Sequence, residues 1–212
     1  MVSHYALECR RAYSECDAQS GTMEYTISDH EGARVFAFRG TAKQYAAERT
    51  QGFWGNVKAW GALVRDVLAD IAIRPWYDSA LGWRPAGFLN AANDVLRDIR
   101  PLINKSQPID LCGHSLGGAV AGLLGEALAK EGYWIRHIVL FGCPRVGKLK
   151  TLASTNCSTK IHSFRFGKDI VTSVPPVWAT PVPLERIGQP SDWLNDHAID
   201  NYAMWFVSRE RV

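Results

Sequence analysis

Residues 109–129, IDLCGHSLGGAVAGLLGEALA, decide the fold. IDLC (109–112) is a short apolar run without alternation, the pattern of a strand covered on both faces. The helix after it carries Ala119, Leu123, Ala127 and Leu128 on one side. Between the two stands Gly113-His114-Ser115-Leu116-Gly117-Gly118. A strand that becomes a helix over so few residues puts Ser115 at the tip of a very tight turn, in a strained backbone conformation. Residues two before and two after that tip come close together, so glycine at 113 and 117 removes side chains that would clash.

Working outward, a helical pattern precedes this unit. Phe88, Ala92, Val95, Leu96, Ile99 and Leu102 repeat at helical spacing from Gly87, and Pro101 and Pro108 bracket the exit. Two further strands follow it, IRHIVLFG (135–142) and TKIHSFRF (159–166). MEYTIS (23–28) and ARVFAFRG (33–40) read as a hairpin around Asp29-His30-Glu31-Gly32. In 41–86, Val57, Trp60, Val64, Val67, Leu68 and Ile71 suit a helix, while the glycines and a β-branched tail also suit a partly extended path. Half of the ten prolines lie in 175–190, which predicts a shaped loop with at most one edge strand around 182–187. Strands alternating with helices predict an α/β fold, with a mostly parallel central sheet and helices on both faces.

Length and composition bound the function. At 212 residues with 47% apolar and 21% charged side chains, the chain reads as one soluble globular domain spanning 1–212. The basic surplus is three and is scattered, so no stripe exists for nucleic acid or an anionic membrane. No stretch approaches the roughly 18 apolar residues of a membrane span. The start, MVSHYALECRR, shows no signal peptide, which implies a cytoplasmic protein or one whose leader has been removed. Five cysteines, an odd number, do not read as a disulfide framework. Tyr5, Cys9, Ala12, Tyr13 and Cys16 share one helical stripe, which puts Cys9 and Cys16 about 10.5 Å apart, too far to bridge.

A serine hydroxyl is a poor nucleophile unless a base touches it and the fold presents it to substrate. The turn supplies the presentation for Ser115, and the helix N-terminus aims free N–H groups and a positive dipole end at a developing oxyanion. His114 must leave the turn in another direction and reads as a packed elbow residue. The base is sought after Ser115, where the order Ser, acid, His is expected. His137, with Glu126 or Glu131 before it, and His162 both fall inside predicted strands. His197 sits in the polar segment Asp192-Trp193-Leu194-Asn195-Asp196-His197 and is the favoured base.

Asp169 follows the strand HSFRF at its C-terminal end, where ligand crevices form in open α/β sheets, and is the favoured orienting acid; Glu185 is its rival. Asp192, Asp196 and Asp200 are assigned to capping and surface solvation. An oxyanion hole needs two backbone donors: Leu116, after the nucleophile, and one from VFAFRGT, where Thr41 is preferred over Gly40.

AFRGT, GHSLGGAVAGLL, LFGCPRVG (140–147), KDIVTSVPP (168–176) and DHAIDNY (196–202), in this order, resemble the class 3 (fungal-type) lipase family of the α/β-hydrolase superfamily. The resemblance covers roughly residues 33–205. It implies Ser115, Asp169 and His197 as a triad, with Thr41 and Leu116 as the oxyanion hole. It also implies a carboxylic ester hydrolase acting on acylglycerols or similar lipid esters through an acyl-enzyme. No cofactor and no metal is expected.

Two departures stand out. The His-Ser-Gly-Phe-like segment usual before the nucleophile helix is here Arg84-Pro85-Ala86-Gly87-Phe88, and 41–87, where the family carries its lid, diverges most. A soluble carboxylesterase, feruloyl-esterase-like or a phospholipase, is the nearest alternative; a non-catalytic binding protein on the same fold is the remote one. Eight tryptophans, among them Trp54, Trp60, Trp76 and Trp83, suit an acyl pocket, transient contact with a lipid surface, or core packing.

Overall fold

In a computed structural model, which describes residues 1–40, 74–149, 159–192 and 195–210, a seven-stranded sheet forms around the 109–129 segment. Strand β1 (Ala18–Ser20) pairs antiparallel with β2 (Met23–His30), and β2 with β3 (Ala33–Phe38). The β2–β3 hairpin is the one expected. It is tighter than the sequence suggests, because the strands run on to a two-residue turn at Glu31-Gly32, both in the left-handed region.

A second, two-stranded sheet follows, made by β4 (Pro75–Asp78) and β5 (Gly82–Pro85). Then come β6 (Ile109–His114), β7 (Ile135–Phe141), β8 (Lys160–Phe166) and β9 (Glu185–Ile187). The main sheet has the order β1-β2-β3-β6-β7-β8-β9, and every pair from β3 to β9 is parallel. The edge strand expected within 182–187 is β9, at one border of that sheet.

Side chains along these strands alternate between two buried clusters, which is why the runs read as continuously apolar. Phe36, Phe38, Ile109, Leu111, Ile138 and Leu140 face helices α2 (Ala86–Ile99) and α3 (Leu116–Lys130). Val35, Ala37, Cys112, Val139, Phe141 and Phe164 face α1 (Val2–Arg11) and α4 (Ile199–Glu210) on the other side. The mostly parallel sheet with helices on both faces is therefore present. Each large side chain buried in these layers contributes roughly 1.5–3 kcal/mol, and that gain holds the parallel strands beneath the site.

Three local expectations need correction. Helix α1 stops at Arg11, so Cys16 is not on its stripe; Cys9 is buried, Cys16 is exposed, and both are free thiols. Helix α3 is buried on nearly every side rather than along one, because β6, β7 and α2 enclose it. Leu102 lies in a 3-10 turn after α2 and points to solvent, since the tighter turn rotates it off the apolar stripe. The β4–β5 hairpin carries aromatic residues at positions without a buried face, so no strand periodicity announces it. The helical residues proposed between 57 and 71 lie outside the described residues. Among the described residues no helix is long and apolar enough to cross a membrane.

Candidate active site

Strand β6 runs to His114, and α3 starts at Leu116, so Ser115 alone makes the turn. Its φ is +56° and ψ −126°, a region that non-glycine residues rarely enter. The Ser115 N–H donates to the Phe141 carbonyl of β7 at 2.9 Å, and the Ser115 carbonyl accepts from Gly118 N–H at 2.9 Å. A Cβ at Gly113 would stand 2.1 Å from the Gly117 carbonyl oxygen; one at Gly117 would stand 2.2 Å from that of Phe38. The two glycines are thus required by backbone meeting backbone, and the second of them also presses the helix start onto the end of β3.

The Ser115 Oγ lies 3.0 Å from Nε2 of His197. Nδ1 of the same ring lies 2.8 Å from Oδ2 of Asp169, which is fully buried beyond the end of β8. Asp169 is held from three sides. Its own N–H donates to Phe166 O at 2.9 Å, its Oδ1 accepts from Val171 N–H at 2.9 Å, and its Oδ2 accepts from the Tyr202 hydroxyl at 2.6 Å. Burial, and after it the Asp169 charge, hold the Tyr202 phenol well above its usual pKa, so it remains a donor. The turn after β7 must approach this pair closely. Gly142 has φ +55°, and a Cβ there would be 2.6 Å from Asp169 Oδ2 and 3.0 Å from His197 Nδ1.

The rivals are elsewhere. Glu185 faces the half-exposed His162 at 2.7 Å on the edge strand β9. His137 sits at the opposite end of β7, where its backbone N–H donates to Asp110. Glu126 faces Arg84 at 2.7 Å. Asp200 pairs with Arg10, and Asp192 accepts from Asn195 N–H at 2.9 Å, the surface roles expected of both.

Asp196 departs from that expectation. It is 0% exposed, and its carboxylate accepts from Lys168 N–H at 2.7 Å, Ser191 N–H at 3.1 Å and Ser191 Oγ at 2.6 Å. It therefore staples the segment that carries His197 to the turn that carries Asp169. Hydrophilic neighbours in the sequence disguise it as a surface residue.

His114 is the packed elbow residue anticipated. It is buried, its ring lies 4.7 Å from that of His197, and burial, with His197 second, pushes its pKa down to about 3. Its Nε2 is 2.7 Å from the His197 carbonyl and its Nδ1 is 2.6 Å from the Tyr13 hydroxyl. Leu116 opens α3, where backbone N–H groups have no intrahelical partner. Gly40 N–H already donates to the Tyr13 hydroxyl at 2.8 Å, while Thr41 lies outside the described residues.

Tyr13 lies outside the quoted motifs, and nothing in the sequence marks it. Asp196 and Tyr202 open and close DHAIDNY (196–202), and that motif was the available signal for both, although no site role was assigned to either. Trp76, Tyr77 and Trp83, on the β4–β5 hairpin, are 61%, 59% and 59% exposed, which removes core packing as their role. Trp54 and Trp60 lie outside the described residues. Among the described residues no cluster of three or more His, Cys, Asp or Glu is placed to hold a metal ion.

A family model described as "Lipase (class 3)" matches residues 35–178, more than half of the chain. No curated protein matches the chain. Among solved structures, the chain is similar to a lipase from Rhizopus microsporus var. chinensis, with a TM-score of 0.57, 23% identity, and coverage of 82% of this chain and 68% of that one. It is also similar to a nonglycosylated lipase from Yarrowia lipolytica, with a TM-score of 0.58, 18% identity, and coverage of 91% and 79%. At such identities the likeness is one of fold, and that fold is the α/β-hydrolase fold.

Proposed function

Because the chain belongs to the class 3 lipase family and is a carboxylic ester hydrolase, we propose that it cleaves acylglycerols or similar lipid esters with Ser115 as nucleophile, His197 as base and Asp169 as orienting acid. The observation that carries the reading is the unbroken chain Ser115 Oγ–His197 Nε2 at 3.0 Å and His197 Nδ1–Asp169 Oδ2 at 2.8 Å.

Ser115 Oγ attacks the ester carbonyl as His197 Nε2 takes its proton, and Asp169 holds the imidazole in the tautomer that leaves Nε2 free to accept it. The tetrahedral oxyanion is held by Leu116 N–H and a donor from Thr41. When the C–O bond breaks, His197 returns the proton to the departing alcohol and an acyl-Ser115 ester remains. Water, deprotonated by the same imidazole, releases the carboxylic acid and restores the Ser115 hydroxyl.

The test is hydrolysis of a short p-nitrophenyl ester, together with labelling by a fluorophosphonate. Ser115→Ala should abolish labelling and lower kcat by about 10⁴–10⁶-fold in a folded protein. Near-normal hydrolysis by that variant, or a wild type that neither hydrolyses nor labels, refutes the reading.

A single α/β-hydrolase domain across 1–212 and transient contact with a lipid surface belong to the same proposal. The first is supported by α1 packing on α4 and both on the one sheet. The second is supported by the exposed Trp76, Tyr77 and Trp83, since such rings suit a boundary between oil and water. Rate on a medium-chain ester should jump as the substrate begins to form droplets, and replacing Trp76 and Trp83 with serine should flatten the jump. Smooth saturation through the solubility limit would favour a soluble carboxylesterase.

A further inference from the structure

We infer that Tyr13 is a positioning residue of this hydrolysis: its hydroxyl, set between Gly40 N–H and His114 Nδ1, ties the end of the oxyanion-side strand to the backbone of His197. The inference rests on the proposed triad and oxyanion loop.

Four segments meet in one directed chain of hydrogen bonds. Its far end is the His197 carbonyl, which only accepts, so His114 Nε2 must carry the proton across the 2.7 Å contact. A neutral imidazole protonated there has a bare lone pair at Nδ1, and burial keeps His114 neutral at working pH. The Tyr13 hydroxyl has one proton, and it goes to that lone pair, 2.6 Å away. The phenol oxygen then accepts from Gly40 N–H at 2.8 Å. Each donor and acceptor has one polarity available, so the chain cannot invert, and it defines one relative position of its ends.

Those ends matter to the chemistry. Gly40 immediately precedes Thr41, and a Cβ added to Gly40 would stand 2.7 Å from the Ser115 Cβ, so this strand end lies against the nucleophile. The other end holds the backbone of His197, whose ring contacts Ser115 Oγ. Charge on the developing oxyanion and the proton on the imidazole appear together in the transition state, so the spacing between their two supports acts on kcat. Substrate need not touch Tyr13 at all. The phenol is brought to this place by the turn after α1, where Tyr13 N–H donates to Arg10 O at 3.1 Å.

The experiment uses p-nitrophenyl butyrate and the full chain. Tyr13→Phe keeps the ring and removes only the hydroxyl; kcat should fall about tenfold while KM stays within about twofold. His114→Gln retains a nitrogen able to donate to the His197 carbonyl but moves the acceptor for Tyr13 off the Nδ1 position, and should show a loss of the same size. Because both variants break the same link, the double variant should lose no more than the worse single one.

Wild-type kcat in folded Tyr13→Phe, a change confined to KM, or losses that multiply in the double variant would overturn the inference. If Tyr13→Phe does not fold, His114→Gln carries the same decision. Fluorophosphonate labelling of the wild type separates the two failures. An unlabelled wild type removes the triad itself, whereas a labelled wild type with an undiminished Tyr13→Phe removes only the role of Tyr13.

Discussion

Tyr202 donates its hydroxyl to Asp169 Oδ2 at 2.6 Å, and that same oxygen faces His197 Nδ1 at 2.8 Å. Two donors thus share one carboxylate oxygen inside the protein, and the phenol from α4 withdraws part of the negative charge that the imidazolium would otherwise feel. Tyr202→Phe should concentrate that charge on the histidine. The imidazolium is then favoured, so the acid limb of kcat/KM against pH moves to higher pH, and kcat falls about tenfold. A limb that stays in place or moves to lower pH contradicts this account.

Asp169→Asn should lower kcat about 10⁴-fold, because the amide favours the wrong imidazole tautomer. Glu185→Gln, on the edge strand facing His162, should leave kcat near that of the wild type. Asp196→Asn places an amide N–H₂ among the donors of Lys168 and Ser191, so both melting temperature and kcat should fall. Steady-state kinetics and thermal melts of the three variants side by side decide; an inactive Glu185→Gln would reassign the orienting acid.

Arg84 and Glu126 form a buried ion pair at 2.7 Å, 4% and 0% exposed, joining β5 to the helix behind the nucleophile. Arg84 also donates to the carbonyls of Trp83 and Lys148. Arg84→Met takes the nearer cation from a buried carboxylate that keeps Lys130 at 3.8 Å, and should cost up to about 3–5 kcal/mol. Adding Glu126→Leu should recover much of that loss. Urea unfolding measures both, and a double variant no more stable than the single one contradicts the buried-charge explanation.

His114 gives a dependence on acid. Its folded pKa, about 3, lies below the ordinary 6.5, so between those values the unfolded chain holds a proton that the folded chain rejects. Stability is unaffected by this group above 6.5 and falls as pH drops through the window. From pH 7 to pH 5 the wild type should therefore lose about 2 kcal/mol more than His114→Gln. Equal losses in urea unfolding at the two pH values would show that His114 does not carry the effect.

The elbow was legible because its pattern is local, a glycine two positions either side of Ser115, and Gly113 does answer the Gly117 backbone; that Gly117 in turn answers the remote carbonyls of Phe38 and Arg39 was not legible. The meeting of Asp169 and His197 was legible from a strand's end and from setting aside histidines inside strands, while their catalytic roles belong to the proposal. Tyr13 and Tyr202 were not legible, since each acts through one hydroxyl on a partner more than thirty positions away, and an apolar stripe treats a phenol as another ring. Asp196 was misread for a related reason: its partner at 168 is 28 positions away, brought near by the parallel packing of β8 and β9, while only Ser191 is a local one. The β4–β5 hairpin escaped because Trp76, Tyr77 and Trp83 face solvent, where a strand of that composition is expected to face inward. The expected donor Thr41 lies outside the described residues.

Helix α1 packs on α4, and Ser3 donates to Glu210 across 207 positions of chain. The order of assembly follows from this. Strand β6, the turn and α3 are neighbours in sequence and form early, whereas the cluster shared by α1, α4 and the sheet forms only when distant segments meet, the slower kind of event in folding. Tyr202, whose hydroxyl holds Asp169 beside His197, belongs to that late cluster. On the proposed triad, a half-assembled molecule would therefore carry a presented serine with no ordered base, and reactivity would begin when the two remote helices close on each other.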